Sequence, residues 1–357
     1  MPENRKIPLL FEKFPDLEAN IPWKKLAPLR TPLKELTNLE EKLGINSLWV
    51  KCDNLTSPLY GGNKVRKLEF ILADAIEKGY KKIITTGGLG SNHCVATAIF
   101  CNQLNLESRA ALIDQPITQH VRENLLLESY YKNEIIYLDE KSEIPKDSNI
   151  YYIPPGGSMP IGTLGFINAA LELKKQVDDG EIPEPEIIFV ACGSSGTAAG
   201  LLLGVKMADL KTRIHTVQTS YPIYSSLKTI RRIAKKTHKL MSNFDKTIPE
   251  ISYESLSFDR DYFGGVYGLP TTSGIEAINI VKNKEGIKLE ATYTGKTFAA
   301  LLGFVRAHKE DVKNKTILFW NTYNSRDFSD ILPTLDYHKL PEEIHWVFEE
   351  PLPDYGL

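Results

Sequence analysis

Apolar residues follow two alternating patterns along the chain, which together predict an α/β protein. Continuous apolar runs of four or five residues indicate buried strands, and apolar residues that recur every three or four positions indicate helices. The runs predict strands at Leu48–Lys51, Lys82–Thr86, Arg109–Ile113, Ile135–Leu138, Ile187–Ala191, Ile214–Gln218 and Thr316–Trp320. The helical spacing predicts helices at Lys64–Gly79, Asn92–Leu104, His120–Tyr131, Thr163–Val177, Thr197–Met207, Gly274–Lys282 and Thr297–His308.

The order of these elements predicts two lobes. A chain of 357 residues exceeds the size at which a single hydrophobic core stops growing. The alternation of strand and helix is interrupted by Pro154-Pro155-Gly156-Gly157. We therefore expect a small α/β domain at 65–164, inserted into a large domain formed by 1–64 and 165–357. Each domain should contain an open, twisted, mostly parallel sheet flanked by helices.

Composition and charge exclude several classes of protein. The chain is 42% hydrophobic and 25% charged, as globular proteins are. Its 43 basic and 45 acidic residues leave a net charge of −2, so nucleic acid is not an expected partner. Its four cysteines include no C-x-x-C pair, so no metal site is expected, and the predicted location of the protein is the reducing cytoplasm. Charges and prolines break up the apolar residues at the start of the chain, so neither a signal peptide nor a membrane span is expected.

The turn Gly61-Gly62-Asn63-Lys64 places a lysine in the first turn of a predicted helix. The positive end of the helix dipole disfavours the protonated amine. A neutral lysine amine is the nucleophile that forms a Schiff base with an aldehyde. Lys64 is therefore a candidate catalytic residue, with an ordinary surface lysine as the alternative.

Two glycine-rich turns follow predicted strands, at the end of the sheet where α/β proteins bind ligands. The turn from Gly87 to His93 opens a helix whose free N–H groups, with Ser91 and Asn92, suit a carboxylate. Helix capping by Ser91 or Asn92 is the alternative. The turn Gly193-Ser194-Ser195-Gly196-Thr197 offers small residues and hydroxyl groups that suit a phosphate. A tight turn without a ligand is the alternative there.

Three polar residues later in the chain are weaker candidates. Tyr267 and Tyr293 each precede a turn, and Thr322 follows the last predicted strand. Tyrosine at a turn commonly buries its ring and leaves its hydroxyl in water, and a threonine after a strand can cap a turn. None of the three indicates a ligand by itself.

Taken together and in this order, the motifs G-G-N-K-V-R-K-L-E, G-S-N-H, G-S-S-G-T and Y-T-G-K resemble a known family. They resemble the pyridoxal-phosphate enzymes of the 1-aminocyclopropane-1-carboxylate deaminase and D-cysteine desulfhydrase family. The resemblance extends from about Arg30 to Ser329. It implies the tryptophan-synthase-β-like fold (fold type II), pyridoxal 5′-phosphate as cofactor, and a homodimer.

The resemblance also implies roles for individual residues. Lys64 would form the Schiff base and then act as a base beside the substrate Cα, and Lys67 would contact the cofactor phosphate. The substrate carboxylate and the ring hydroxyl would be contacted by Ser91, Asn92 and His93. The phosphate loop would comprise Gly193, Ser194, Ser195, Gly196 and Thr197. Tyr267 and Tyr293 would flank the substrate, with Ser91 as a further catalytic residue.

Two features favour the desulfhydrase branch over the deaminase branch. The deaminase branch has glutamate near the pyridine nitrogen where this chain has Thr294, and Thr322 matches a threonine that contacts this nitrogen in desulfhydrases. Two other positions depart from the family pattern. Gly90 stands where glutamine is usual, and Tyr323-Asn324 stands where two glycines are usual. Both departures would change the part of the site that contacts the substrate.

The implied activity is that of a lyase acting on a small amino acid. It would remove the α-proton, expel a β-leaving group and release a 2-oxo acid and ammonia, with D-cysteine-like substrates as the first hypothesis. Sulfite release from L-cysteate, deamination of the cyclopropane substrate and amino-acid racemisation are the enzymatic alternatives. A non-catalytic protein that binds pyridoxal phosphate is the alternative from another class.

Overall fold

The computed structural model describes residues 7–139, 142–145 and 147–355. These residues form ten strands in two sheets. The strands are β1 (Leu33–Glu35), β2 (Leu48–Lys51), β3 (Lys82–Gly88), β4 (Glu107–Ile113), β5 (Glu134–Tyr137), β6 (Ile150–Ile153), β7 (Ile187–Cys192), β8 (Arg213–Gln218), β9 (Leu256–Asp259) and β10 (Ile317–Trp320).

The larger sheet has six strands in the order β1-β2-β10-β7-β8-β9. All its pairings are parallel except that of β1 with β2. The smaller sheet has four parallel strands in the order β5-β4-β3-β6. Strand β2 pairs with β10 although the whole smaller sheet lies between them in the chain. The expected α/β fold with two mostly parallel sheets is confirmed, whereas the exact domain boundaries stay a prediction.

Twelve helices flank the sheets in the described part of the chain. They are α1 (Leu9–Lys13), α2 (Thr37–Leu43), α3 (Lys64–Glu77), α4 (Asn92–Gln103), α5 (Gln119–Tyr130), α6 (Pro160–Asp178), α7 (Gly196–Met207), α8 (Leu227–Ser242), α9 (Thr272–Glu285), α10 (Thr294–Ala307), α11 (Lys309–Val312) and α12 (Trp346–Glu349). No helix among the described residues is both long enough and apolar enough to cross a membrane.

Glycines allow the central helices α3, α6 and α7 to pack closely. A Cβ atom on Gly165 of α6 would lie 2.0 Å from the carbonyl oxygen of Arg66 on α3. A Cβ atom on Gly200 of α7 would lie 2.4 Å from Cβ of Phe166 on α6. Since no side chain fits at either position, these contacts fix α3 against the helices of the larger sheet. The close packing therefore also fixes Lys64, the first residue of α3.

A buried ionic network holds the turn that precedes Lys64. The Arg66 guanidinium group contacts Asp53 at 2.7 Å and Glu172 at 3.0 Å, and all three side chains are almost fully buried. Arg66 and Lys51 lower the pKa of the Glu172 carboxyl, against the opposing effect of burial. The backbone carbonyl of Asp53 accepts a hydrogen bond from the Gly62 N–H at 2.7 Å. The network thus connects the glycine turn to the core.

The C-terminal segment packs on the smaller sheet's layer of helices. Leu340, Ile344 and Val347 form one hydrophobic cluster with Val121 and Leu125 of α5. The Arg122 guanidinium group donates to the backbone carbonyl of Val347 at 2.8 Å. The end of the described chain is therefore held against α5.

Candidate active site

One cavity of about 420 Å³ lies between the two sheets. Residues at the carboxyl ends of strands from both sheets line it, among them Gly88 at the end of β3, Asp114 after β4, Gly193 after β7 and Thr322 after β10. Ligands of open α/β sheets bind at this end of the strands. The cavity is therefore the candidate active site.

Most of the residues predicted from the sequence meet in this cavity. Those that line it are Lys64, Ser91, Asn92, His93, Gly193, Ser194, Ser195, Thr197, Tyr267, Tyr293 and Thr322. Three other predicted residues do not line the cavity and lie next to residues that do: Lys67, Gly196 and Thr294. The Lys67 amine donates to the carbonyl of Gly156 at 2.9 Å, and Gly156 itself lines the cavity. Thr294 is buried and contacts Glu290.

The Lys64 amine faces the cavity from the N-terminus of α3. Burial lowers the pKa of this amine from 10.5 to about 8, although the negative charge of Glu290 opposes the change. Nζ donates to Oδ1 of Asn63 at 2.7 Å and lies 6.0 Å from the centre of the Tyr293 ring. A substantial neutral fraction of this amine near physiological pH is what a nucleophilic lysine requires.

The turn between β7 and α7 forms a polar cradle at the N-terminus of a helix. Ser195 has a φ angle of +70°, in the left-handed region, and its hydroxyl donates to the carbonyl of Tyr224 at 2.5 Å. The Ser194 hydroxyl lies 2.7 Å from that of Ser158. Ser158 also accepts the N–H of Gly196 at 3.1 Å. Such a cluster of N–H and O–H groups at a helix N-terminus suits a phosphate.

Asn63 connects the lysine to this cradle. Its Oδ1 atom accepts from Lys64, and its Nδ2 atom donates to Oγ1 of Thr197 at 3.0 Å. Asn63 was not among the predicted site residues. Its position between the glycine turn and Lys64 is the sequence signal that points to it.

Three polar side chains lie within hydrogen-bond distance of the Asn92 amide oxygen. Its Oδ1 atom accepts from the Tyr60 hydroxyl at 3.0 Å and from Nδ2 of Asn124 at 3.2 Å, and it lies 2.8 Å from Nε2 of His120. Burial lowers the pKa of His120 to about 4, so its ring is neutral. With Oδ1 engaged, the Nδ2 group of Asn92 remains to donate to a ligand.

Ser91 and His93 lie on either side of Asn92 at the start of α4. The Ser91 hydroxyl accepts the N–H of Cys94 at 3.3 Å, so Ser91 caps the helix and also lines the cavity. His93 is 2% exposed, and neither ring nitrogen has a hydrogen-bond partner among the described residues. Burial, with the positive charges of Lys64 and Lys67, lowers the pKa of His93. A neutral histidine without hydrogen-bond partners in a cavity wall indicates that this wall binds a ligand.

The two predicted tyrosines contact each other through their hydroxyl groups. The oxygens of Tyr267 and Tyr293 are 2.5 Å apart, and the ring centres are 6.1 Å apart in an edge-to-face arrangement. Burial raises the pKa of Tyr267 to about 12 and raises that of Tyr293 well above 10. Both hydroxyls therefore keep their protons at neutral pH and can act as hydrogen-bond donors.

A carboxylate in the cavity wall was not predicted from the sequence. Glu290 lines the cavity and accepts the N–H groups of Thr292 at 2.7 Å, Tyr293 at 2.9 Å and Thr294 at 2.6 Å. An acidic residue just before a helix is a recognised capping signal, and it could have pointed to Glu290. The N–H groups it accepts fix the start of α10 and thereby Tyr293.

The fold and this site together define an enzyme with a partly buried lysine and a polar cradle that suits a phosphate. Comparison with known proteins identifies the family. The profile of the pyridoxal-phosphate dependent enzymes matches residues 25–322. The chain is 31% identical over 322 residues to a D-cysteine desulfhydrase of Serratia proteamaculans, covering 85% of this chain and 94% of that one. It is 33% identical over 333 residues to a putative 1-aminocyclopropane-1-carboxylate deaminase of Pyrococcus horikoshii, covering 89% and 94%.

A solved structure supports the same conclusion. The crystal structure of an ACC deaminase homologue matches with a TM-score of 0.74 at 28% identity, covering 93% of this chain and 98% of that one. The chain belongs to the pyridoxal-phosphate dependent enzymes. The expected resemblance, the fold type II architecture, the lyase class and the cofactor are thereby confirmed.

The residues present fit pyridoxal phosphate. The cavity contains an amine with a lowered pKa, a histidine without partners and the polar cradle at the start of α7. A Cβ atom on Gly193 would lie 2.9 Å from the Tyr293 ring, so the absence of a side chain keeps this wall open. Lys64 would hold the cofactor aldehyde, the cradle at Ser194 and Ser195 its phosphate, and Asn92 its ring oxygen.

Proposed function

We propose that this enzyme is a lyase that eliminates a β-substituent from a small amino acid, with D-cysteine as the first substrate to test. The Cα–H and Cβ–S bonds break, the sulfur leaves as sulfide, and water releases the nitrogen as ammonia and leaves a 2-oxo acid. The observation that carries the proposal is the position of the Lys64 amine. It is linked through Asn63 to the phosphate cradle and lies beside the tyrosine pair.

When bound, pyridoxal phosphate supplies an electron sink that makes the α-proton of an amino acid acidic. Residues of the chain itself transfer the proton, bind the carboxylate and donate hydrogen bonds. Lys64 accepts the α-proton at Nζ, because its lowered pKa gives it a larger neutral fraction than an ordinary lysine has. Ser91 and the free N–H groups of α4 bind the substrate carboxylate. Tyr267 and Tyr293 hold protons at their hydroxyls and can donate to the leaving group.

The choice between sulfide release and cyclopropane deamination depends on whether a carboxylate lies in the cavity wall near Thr294. The sequence argument for sulfide release was that threonine replaces a carboxylate there. Thr294 lies behind the wall, and Glu290 places a carboxylate in the wall itself. Relatives named D-cysteine desulfhydrase match at 31% and 30% identity and a putative 1-aminocyclopropane-1-carboxylate deaminase matches at 33%, so identity does not separate the two reactions. Sulfide release remains our proposal because Thr322, which resembles a threonine of the desulfhydrases, lines the cavity, and both reactions belong in the test.

The test is a substrate panel with the cofactor-loaded enzyme. D-cysteine, L-cysteine, L-cysteate and 1-aminocyclopropane-1-carboxylate are incubated separately, and 2-oxo acid, ammonia and sulfide or sulfite are measured. We expect 2-oxo acid, ammonia and sulfide in equal amounts from D-cysteine. Oxo acid from another member of the panel would reassign the substrate. No product from any member, with or without racemisation of the unreacted amino acid, would overturn the proposal of a lyase.

We further propose that the enzyme is a cytoplasmic homodimer. The four cysteines are free, three of them buried, which suits a reducing compartment. Ile113, Tyr221 and Tyr224 line the cavity and are more than 40% exposed, and Ile223 beside them is 74% exposed. An apolar surface of this kind is a candidate for burial against a second copy. Sedimentation equilibrium should give twice the chain mass of 40.2 kDa, and a monomer would contradict the proposal.

A further inference from the structure

Tyr267 and Tyr293 come from separate segments of the chain, although their hydroxyl oxygens lie 2.5 Å apart. Tyr293 immediately precedes α10, whereas Tyr267 lies in the irregular segment 260–271 between β9 and α9. Gly264 and Gly265 of this segment have φ angles of +77° and +85°, and a backbone with such glycines is intrinsically flexible. The position of Tyr267 therefore depends on contacts made elsewhere in the segment.

A buried lysine connects the two segments. Lys296 lies in the first turn of α10, three residues after Tyr293. Its amine donates to the backbone carbonyl of Phe263 at 2.7 Å and lies 5.4 Å from the centre of the Phe263 ring. Phe263 stands four residues before Tyr267 in the chain. One hydrogen bond thus joins the helix that follows Tyr293 to the segment that carries Tyr267.

The surroundings of Lys296 show what its amine contributes. The side chain is fully buried, and burial lowers the pKa of the amine to about 8 although the negative charge of Glu290 opposes the change. In the described part of the chain, the amine pairs with the Phe263 carbonyl and with no carboxylate. Burying an amine costs free energy, and an apolar side chain would fill the same space without that cost. The contribution of the amine is therefore the bond to Phe263.

The segment held by this bond also contacts the cavity wall. The Phe263 ring packs edge to face on Tyr221, with the ring centres 5.8 Å apart, and Tyr221 lines the cavity. Tyr267 lines the cavity as well, and its ring lies 3.2 Å from where a Cβ atom on Gly88 would be. Phe263 is thus joined to the cavity wall through Tyr221 in space and through Tyr267 along the chain.

We propose that Lys296 is a positioning residue for Tyr267. Its hydrogen bond to the Phe263 carbonyl holds the segment 260–271, so that the hydroxyl of Tyr267 meets that of its tyrosine partner. Lys296 does not line the cavity, so it acts through Tyr267 and not on the substrate. The consequence for turnover rests on the proposed function, in which the tyrosine pair donates to the leaving group, whereas the position of Tyr267 can be measured without turnover.

Nitration of tyrosine by tetranitromethane reports the surroundings of Tyr267. The reagent attacks the phenolate, which is scarce at Tyr267 because burial raises its pKa to about 12. The cofactor-loaded enzyme is treated at about pH 8 without substrate, and peptide mass spectrometry gives the nitration rates of Tyr267 and of the exposed Tyr130 as reference. Lys296→Met should raise the rate at Tyr267 about tenfold or more, because a return to an ordinary pKa near 10 raises the phenolate fraction by up to about 100-fold. The rate at Tyr130 should not change.

Two further variants complete this experiment. Lys282→Met, at an exposed position of α9, is the matched control and should leave both rates unchanged. The side chain in Lys296→Gln is too short to reach the Phe263 carbonyl, so this variant should behave as Lys296→Met does, and it provides the test if Lys296→Met does not fold. An unchanged rate at Tyr267 would overturn the inference. An equal rise at Tyr130 would also overturn it, because it would indicate a general loosening of the fold.

A double-mutant cycle tests whether Lys296 acts through Tyr267 during turnover. The value of kcat is measured for the panel amino acid that the enzyme converts, in the unmodified enzyme, in Lys296→Met, in Tyr267→Phe and in the double variant. Lys296→Met should lower kcat about tenfold or more, but it should cause no further loss in the Tyr267→Phe background. Equal losses in both backgrounds would overturn the inference. If no panel member is converted, the lyase proposal fails, and the nitration rates still decide whether Lys296 positions Tyr267.

Discussion

The lowered pKa of Lys64 predicts how fast the cofactor-free protein takes up pyridoxal phosphate at each pH. Only the neutral amine attacks the cofactor aldehyde. With a pKa of about 8, about one-tenth of the lysine is neutral at pH 7, against about one part in 3,000 for an ordinary lysine amine with a pKa near 10.5. The uptake rate should therefore rise with pH and reach half its maximum near pH 8.

Visible absorbance of the bound cofactor measures this rate between pH 6 and pH 10 at constant ionic strength. A lysine model peptide, measured in parallel, corrects for ionisation of the cofactor itself. Glu290→Gln removes the negative charge that raises the pKa of Lys64, so the midpoint should move to lower pH. A midpoint near 10.5, or no change in the Glu290→Gln variant, would refute the reasoning.

The same pKa predicts an effect on stability. Because the folded protein releases the Lys64 proton at lower pH than the unfolded chain does, the stability of the cofactor-free protein should rise with pH between about 8 and 10.5. The full difference corresponds to about 3 kcal/mol, and the partial exposure of this side chain makes it an upper limit. At pH 7 the Lys64→Met variant should therefore unfold at higher denaturant concentration than the unmodified protein.

Three other variants test separate parts of the site. Gly193→Ala places a Cβ atom 2.9 Å from the Tyr293 ring, so turnover should fall at least tenfold by steady-state assay while the melting temperature stays unchanged. His120→Leu removes one of the three groups around Oδ1 of Asn92, and equilibrium dialysis should show about three- to tenfold weaker cofactor binding. Arg66→Met leaves two buried carboxylates without their partner, and urea unfolding should show a loss of about 3–5 kcal/mol. An unchanged result in any of these assays contradicts the role given to that residue.

Long apolar patterns made much of the fold predictable. Every strand and helix predicted from periodicity is present, with ends shifted by a few residues. The strands β1 and β9 were missed because neither contains a continuous apolar run, and no residue of either is fully buried. Strand β6, with the sequence IYYI, was missed as well. Helix α8 was missed for another reason. Its buried positions Ile230, Ile233, Thr237 and Met241 repeat at helical spacing, but polar and basic residues outnumber them, so few apolar residues carry the pattern.

The site was predictable where its chemistry lies in local motifs. Glycine turns predicted Lys64, Ser91 and Ser194 as site residues, and all three line the cavity. Gln115, which lines the cavity after β4, could not be predicted in this way, because the glycines beside its amide, Gly88, Gly90 and Gly268, come from two distant turns of the chain. The sequence shows that Gly90 lacks a side chain but not which residue fills the space.

The central claim is that Lys64 carries the cofactor, and chemical trapping tests it most directly. Sodium borohydride reduces the C=N double bond that a lysine amine forms with the cofactor aldehyde and converts it to a stable secondary amine. Peptide mass spectrometry then locates the modified residue. The account predicts that the pyridoxyl group is found on Lys64. Lys67 and Lys296 are also buried with lowered pKa values, so either could take the cofactor if the account is wrong. Modification of Lys67 or Lys296 in place of Lys64, or of no lysine at all, would contradict it.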